Sequence, residues 1–290
     1  MNELFAGIRA LHFASLMAIW GASFYLVLLR RALGITVPAR IMQIAMAPAA
    51  TLALATALLW LCLVTGQMSG DWNAARDPAI IWAVAAQTRF GHIWLARLGG
   101  LLLLLLASLL ARRAPGPAFA ILAALLLGSL GLTSHAAAAS GRFAFLHALN
   151  DATHLLTAGF WMGALLVLLL LVWRHHREPG ALFAPFRLFS LWGVYAVVIL
   201  VMTGLINAAL ILPVHSMSPK SAYADVLATK ITAALTMIVL AAVNRSQLLP
   251  ALGHCDKGVV GRLKNNVVGE IVLALIVIAI VGYLGLMPPA

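Results

Sequence analysis

Polar positions in this chain fall in short clusters, and the apolar runs between them are each long enough to cross about 30 Å of hydrocarbon. The runs cover residues 5–29, 42–67, 90–111, 117–138, 144–173, 184–213, 222–244 and 266–287, which predicts eight transmembrane helices. A backbone in hydrocarbon must satisfy its own hydrogen bonds, and helices do so within one segment. The predicted fold is an all-α polytopic membrane protein forming one integral membrane domain over 1–290. The one sizeable connection expected outside the membrane is 68–89, with Asp71, Arg76 and Asp77. Its PAIIWAVAAQ stretch reads equally as a short helix along the membrane surface or as ordinary loop.

The charges within this pattern set an orientation. Arg30, Arg31, Arg40, Arg112, Arg113, Arg174, Arg177, Arg187, Arg245, Lys257, Arg262 and Lys264 all lie at or between span ends on one side. These twelve of nineteen basic residues mark the cytoplasmic face by the positive-inside rule, so both termini are expected to face outward. Arg97 and Lys230 lie within spans; they either neutralise Asp151, Asp225 or substrate charge or snorkel to the outer interface, and snorkelling is the favoured reading.

Composition agrees. The chain is 63% hydrophobic and 9% charged, more apolar surface than a soluble domain can hide. Its formal net charge of +11 follows from topology and does not indicate nucleic acid. Cys62 and Cys255 make no disulfide framework. No stretch reads as a cleavable signal peptide. No GxxxxGK[ST] phosphate loop is present, so a nucleotide-driven pump is not expected.

An internal repeat is visible. LHFASLMAIWGASFY in the first span resembles THLLTAGFWMGALLV in the fifth, aligning His12 with His154, Ser15 with Thr157 and Gly21 with Gly163. Phe90, Arg97 and Arg112 share their spacing with Tyr223, Lys230 and Arg245. Two parallel four-helix repeats, about 1–140 and 141–290, are the expected organisation, related by an axis along the membrane normal.

The candidate chemistry is concentrated in HALNDATHLLTAGFWMG, residues 147–163. His147, Asp151 and His154 are spaced four and three apart, so they share one helix face. Ionisable groups are costly in hydrocarbon, and three that bind metals or protons point to a functional site over a structural hydrogen-bond network. On the expected topology His12, His92, His135, His147, His154 and His215 fall in the outer half or outer loops. His175, His176 and His254 fall inside; the first two read as solvated residues at a helix end, and His254-Cys255-Asp256 as a loop with a surface thiol rather than a soft-metal receiver. Met17, Met162 and Met202 are expected to be buried in spans, and His215 with Met217 forms an outer H-x-M pair. Imidazole accepts either oxidation state of copper and thioether favours Cu(I). The metal-ligand candidates are His12, His135, His147, Asp151, His154, His215 and Met217. The role of Glu270 in the last span is open.

These residues resemble the CopD family of bacterial copper-resistance membrane proteins. The likeness runs through DATHLLTAGFWMGAL (151–165), FSLWGVYAVVILVMTGLINA (189–208), YADVLATKITAALTMIVLAAVNRSQLLP (223–250), SHAAAASG (134–141) and LHFASLMAIWGASFY (11–25). Where the family tends to a Gly-Gly after the tryptophan this chain has Gly163-Ala164, and Ser134 stands where glycine is frequent. The resemblance implies an eight-span inner-membrane protein, not an enzyme, that handles copper with a separate periplasmic CopC-like partner.

Three readings follow. The first is copper transport from periplasm to cytoplasm through the outer His/Asp/Met site. The second is a b-type haem protein, with His12 and His154 as facing axial ligands. The third is a copper-binding chaperone or sensor that does not translocate.

Overall fold

The computed structural model describes residues 2–110, 115–133, 142–211, 222–254 and 258–287. These residues are almost wholly helical, with α1 Asn2–Leu33, α2 Ala39–Ser69, α3 Pro78–Gln87, α4 Arg89–Leu110, α5 Pro117–Gly128, α6 Arg142–Arg174, α7 Pro179–Ile211, α8 Ala222–Val243, α9 Leu249–Gly253 and α10 Val259–Leu284. Among them, seven helical runs are long and apolar enough to cross a membrane. The chain is a polytopic all-α membrane protein.

Local chemistry fixes the element ends. Pro78 and Pro117 open α3 and α5, where a missing N–H costs nothing. Asp77 caps α3 by accepting from the backbone N–H of Ala79 at 2.8 Å. Gly70 closes α2 in the left-handed conformation, φ 67°, which a side chain would resist. The PAIIWAVAAQ stretch is thus a helix. Pro48 and Pro185 lie inside α2 and α7; the Pro185 carbonyl accepts a hydrogen bond from the Tyr25 hydroxyl at 2.6 Å.

Two predicted spans differ in detail. The one expected at 117–138 is α-helical only to Gly128, then tightens into a 3-10 turn over Ser129–Thr133, where Ser129 Oγ donates back to the Leu126 carbonyl. Residues 134–138 lie outside the described residues. The span expected at 222–244 runs on: α8 passes into a π-helical turn over Asn244–Leu248 and then into α9.

The core sits around α1 and α6. Buried positions make up 61% of the most apolar stretch of each, against 22% for α7 and 6% for α8, so these two helices form the centre. They pack on one another, α1 also against α2, α5 and α10, and α6 also against α5, α7 and α10. Their crossing is made by small residues. A Cβ on Gly21 would collide with the Gly159 carbonyl and the Gly163 Cα, and one on Gly163 would collide with Gly21 and the Ala22 nitrogen. Close approach at small residues is how helices gain contact in lipid, where apolar burial supplies little. Large apolar side chains such as Leu110, Leu125, Val198 and Leu205 stay exposed on the outside of the bundle, as lipid-facing positions should.

Candidate functional site

His12 and His154 occupy matching settings on the two central helices. His12 is fully buried, and its Nδ1 lies 3.0 Å from the Ala53 carbonyl and 3.0 Å from Thr56 Oγ1 on α2. His154 is partly buried, and its Nδ1 lies 2.8 Å from Thr203 Oγ1 on α7. Each threonine hydroxyl is already committed. Thr56 donates to the Leu52 carbonyl at 2.7 Å and Thr203 to the Ile199 carbonyl at 2.6 Å. The hydroxyl oxygen must therefore accept from the imidazole, which places the ring proton on Nδ1 and leaves the lone pair on Nε2. A partner that fixes the tautomer and orientation is the usual setting of a metal-binding histidine. His12 Nε2 is buried without a hydrogen-bond partner among the described residues.

Around His12 the walls are aromatic and cationic. Its ring stands edge-on to Trp60 at 5.6 Å and tilted to Trp94 at 6.1 Å. Arg9 lies over Trp60 at 5.0 Å and Arg97 over Trp94 at 4.4 Å. Arg97 is 2% exposed and donates through Nε and Nη2 to Ser129 Oγ at 3.2 and 3.0 Å. It does not snorkel. An indole face and a hydroxyl hold it inside the bundle, which sequence position alone does not reveal. Its counterpart Lys230 on α8 is partly buried and acts electrostatically on both His154 and Asp151.

On α6 the predicted face forms. His147 Nε2 lies 3.9 Å from Asp151 Oδ1, one turn before His154. Asn150 donates to the Thr203 carbonyl at 3.0 Å and to Asn207 Oδ1 at 2.7 Å, tying α6 to α7 beside the same threonine. His12 does not share this cluster. It has its own partners on α2 and α4, and no group of three His, Cys, Asp or Glu side chains converges as a metal site among the described residues. His135, His215 and Met217 lie outside the described residues. His92 is exposed, its Nε2 donating to the Ala86 carbonyl at 2.8 Å. Met17 and Met162 are buried as expected, whereas Met202, also expected to be buried, is 56% exposed on the outside of the bundle.

The bis-histidine haem reading would require the packing around His12 to open. A porphyrin needs an open slot at the imidazole nitrogen, and His12 Nε2 is sealed by protein atoms in an aromatic enclosure. A single ion demands far less displacement than a macrocycle.

A second polar centre went unassigned in the sequence. Glu270 of α10 is fully buried; its Oε2 accepts from Trp161 Nε1 at 3.0 Å and its Oε1 from Asn244 Nδ2 at 2.7 Å. Asn266 donates to Asn244 Oδ1 at 2.9 Å. A charge this deep costs roughly 3 kcal/mol on insertion scales unless hydrogen bonds offset it. Its two partners come from other spans, Trp161 from α6 and Asn244 from the turn after α8, so only that π-helical turn could have hinted at them, and it has no sequence signature.

The fold is that of a polytopic all-α membrane protein, with a histidine on each of its two central helices held through Nδ1 by a threonine hydroxyl. Residues 1–145 match the family model described as copper resistance protein D-like, N-terminal domain, and residues 183–284 match copper resistance protein D. The chain belongs to the copper resistance protein D family. It is 31% identical to the inner membrane protein YebZ of Escherichia coli (strain K12), over 84% of this chain and 84% of that one. It is 27% identical to copper resistance protein D of Pseudomonas syringae pv. tomato, over 83% and 82%. It is 29% identical to the copper transport protein CutJ of Bacillus subtilis (strain 168), over 60% of this chain and 34% of that one. No solved structure matches the chain.

Proposed function

We propose that this protein is an inner-membrane copper carrier that binds copper from the periplasm and passes it toward the cytoplasm, with both termini periplasmic. The observation that carries the reading is the α6 face, where His147, Asp151 and a tautomer-fixed His154 stand in succession on a central helix of a copper-resistance family member. Names of relatives support both parts of it, one being an inner membrane protein and another a copper transport protein. The ligands in this reading are His147, Asp151 and His154, with His12 as the matching ligand of the other half and His135, His215 and Met217 as outer capture groups. Delivery from a separate CopC-like periplasmic protein completes it. The protein is a carrier and not an enzyme.

The duplication belongs to the same reading. Gly21 and Gly163, equivalent in the repeat, contact each other reciprocally, as residues on a pseudo-twofold axis must. His12–Thr56 and His154–Thr203 then become two copies of one arrangement, each with a cation on the third span of its half, Arg97 or Lys230.

Copper accumulation in cells expressing wild type or His154→Ala, at equal amounts of folded protein, tests the carrier. Accumulation is expected to fall to the level of cells lacking the protein. Equal accumulation in the two would overturn transport and leave binding without translocation.

A further inference from the structure

Trp161 stands two turns beyond His154 on the same face of α6, about 10 Å along the axis at 1.5 Å per residue. The stripe His147, Asp151, His154 thus continues to the indole that donates to Glu270. From there the polar line passes through Asn244 to Asn266, displaced toward the basic ends of α6 and α8. The histidines lie on one side of mid-span and this network on the other. It supplies the polar station that the metal-ligand candidates lack on the inner side.

The chemistry of the station differs from that of the histidines. Carboxylate and amide oxygens suit hard ions, and Cu(I) prefers sulfur or imidazole. No imidazole or sulfur ligand completes a metal shell at Glu270 among the described residues. Nor does a cation among the described residues neutralise it. On α1, Arg9 lies over Trp60, His12 meets Thr56 and Tyr25 donates to Pro185, while Glu3, Arg30 and Arg31 are exposed near the helix ends. On α6, His147 faces Asp151, His154 meets Thr203 and Arg174 is exposed. On α8 and the π-helical turn, Lys230 acts on Asp151 and His154, Arg245 donates to Ser190, Asp225 is exposed and Tyr223 lies in the first turn. No titratable residue occurs in α9, and His254 beyond it meets the Pro250 carbonyl. On α10 itself, Arg262, Lys264 and Tyr283 are exposed.

A fully buried carboxyl that has neutral donors and no counter-ion among the described residues is suited to exchange a proton. Two donors hold it when charged, and removing the charge requires one proton and no rearrangement of the helices. The π-helical turn beginning at Asn244 adds a backbone that departs from regular hydrogen bonding beside the carboxyl; such turns recur at functional sites.

We propose that Glu270, held by Trp161 and Asn244, is a proton-binding site on the inner side of the copper path, taking one proton from water and returning one to water as copper passes. The coupling part of this proposal rests on the copper-carrier reading; the proton site does not.

The test uses the full-length protein in lipid vesicles. Infrared difference spectra over a pH titration are expected to show a protonated-carboxyl C=O band that Glu270→Gln lacks. Trp161→Phe is expected to keep the band and shift its frequency, because one hydrogen-bond partner of the carboxyl is gone. A band that persists in Glu270→Gln and is unmoved in Trp161→Phe, or no titrating band in wild type, would overturn the proton site. Copper-driven proton movement, followed with a pH-sensitive dye, is expected in wild type and lost in Glu270→Gln, with bound copper per protein unchanged. Proton movement that survives in Glu270→Gln overturns the coupling. Loss of bound copper in wild type itself overturns the carrier reading and leaves the infrared result standing.

Discussion

Gly21 and Gly163 meet at the crossing of the two central helices so closely that a Cβ on either would strike the backbone of the other. Backbone cannot swing aside as a side chain can, so the cost of Gly163→Ala is expected at or above the upper end of the ~1–3 kcal/mol seen for overpacking. The melting temperature in detergent should fall by several degrees. Gly99→Ala on α4 has open space at its Cβ and serves as the control, with no loss and a small gain from helix propensity. Equal melting of the two variants would show that α1 and α6 do not pack through this pair.

Thr203 is the hydrogen-bond partner of His154 Nδ1, whereas His12 Nδ1 has both Thr56 and the Ala53 carbonyl. Thr203→Val should therefore free the His154 ring and lower copper affinity by about 10- to 100-fold, the usual effect of losing such a support. Thr56→Val leaves the carbonyl in place and should change affinity much less. Competition against a calibrated copper chelator measures both. Equal affinities for wild type and Thr203→Val would remove the tautomer argument.

Arg97 donates twice to Ser129 Oγ from a site that is almost wholly buried. Ser129→Ala strips the guanidinium of that acceptor, and an unsatisfied charged donor costs about 1–3 kcal/mol or more. Destabilisation of that order should appear in thermal melts. Arg97→Lys should be destabilising as well, since an ammonium cannot reproduce the flat stack on Trp94 together with the fork to Ser129.

The membrane class, seven of the spans and the α6 face were legible in the sequence, because hydropathy and the 3.6-residue period are local signals. The end of α5 was less so: the apolar run continues past Gly128, but Ser129 turns the chain into a tighter helix. Arg97 does not snorkel as expected, since snorkelling depends on what lies within reach: the Trp94 face is three residues back on α4, but Ser129 arrives from the turn after α5. Glu270 was visible as a letter, yet its partners Trp161 and Asn244 lie 109 and 26 residues away. The same long-range assembly hid Thr56 and Thr203, which as lone threonines in apolar helices look like any other.

Asp151 decides whether the α6 face is a metal site or a structural network. Its carboxylate lies 3.9 Å from His147 Nε2 and within the influence of Lys230. As a ligand or charge partner it should lose its effect on replacement by an isosteric amide, because copper needs the anion and the lone pair that an amide supplies poorly. Asp151→Asn is thus expected to bind clearly less copper than wild type, with melting little changed. A structural network predicts the reverse: an amide can replace some hydrogen bonds but leaves Lys230 without its anion, so stability should drop while copper content per folded protein holds. Metal analysis of purified protein beside a thermal melt separates the two. The same samples should show no Soret absorbance, since His12 is closed to a porphyrin; a Soret band that vanishes in His12→Ala would restore the haem reading.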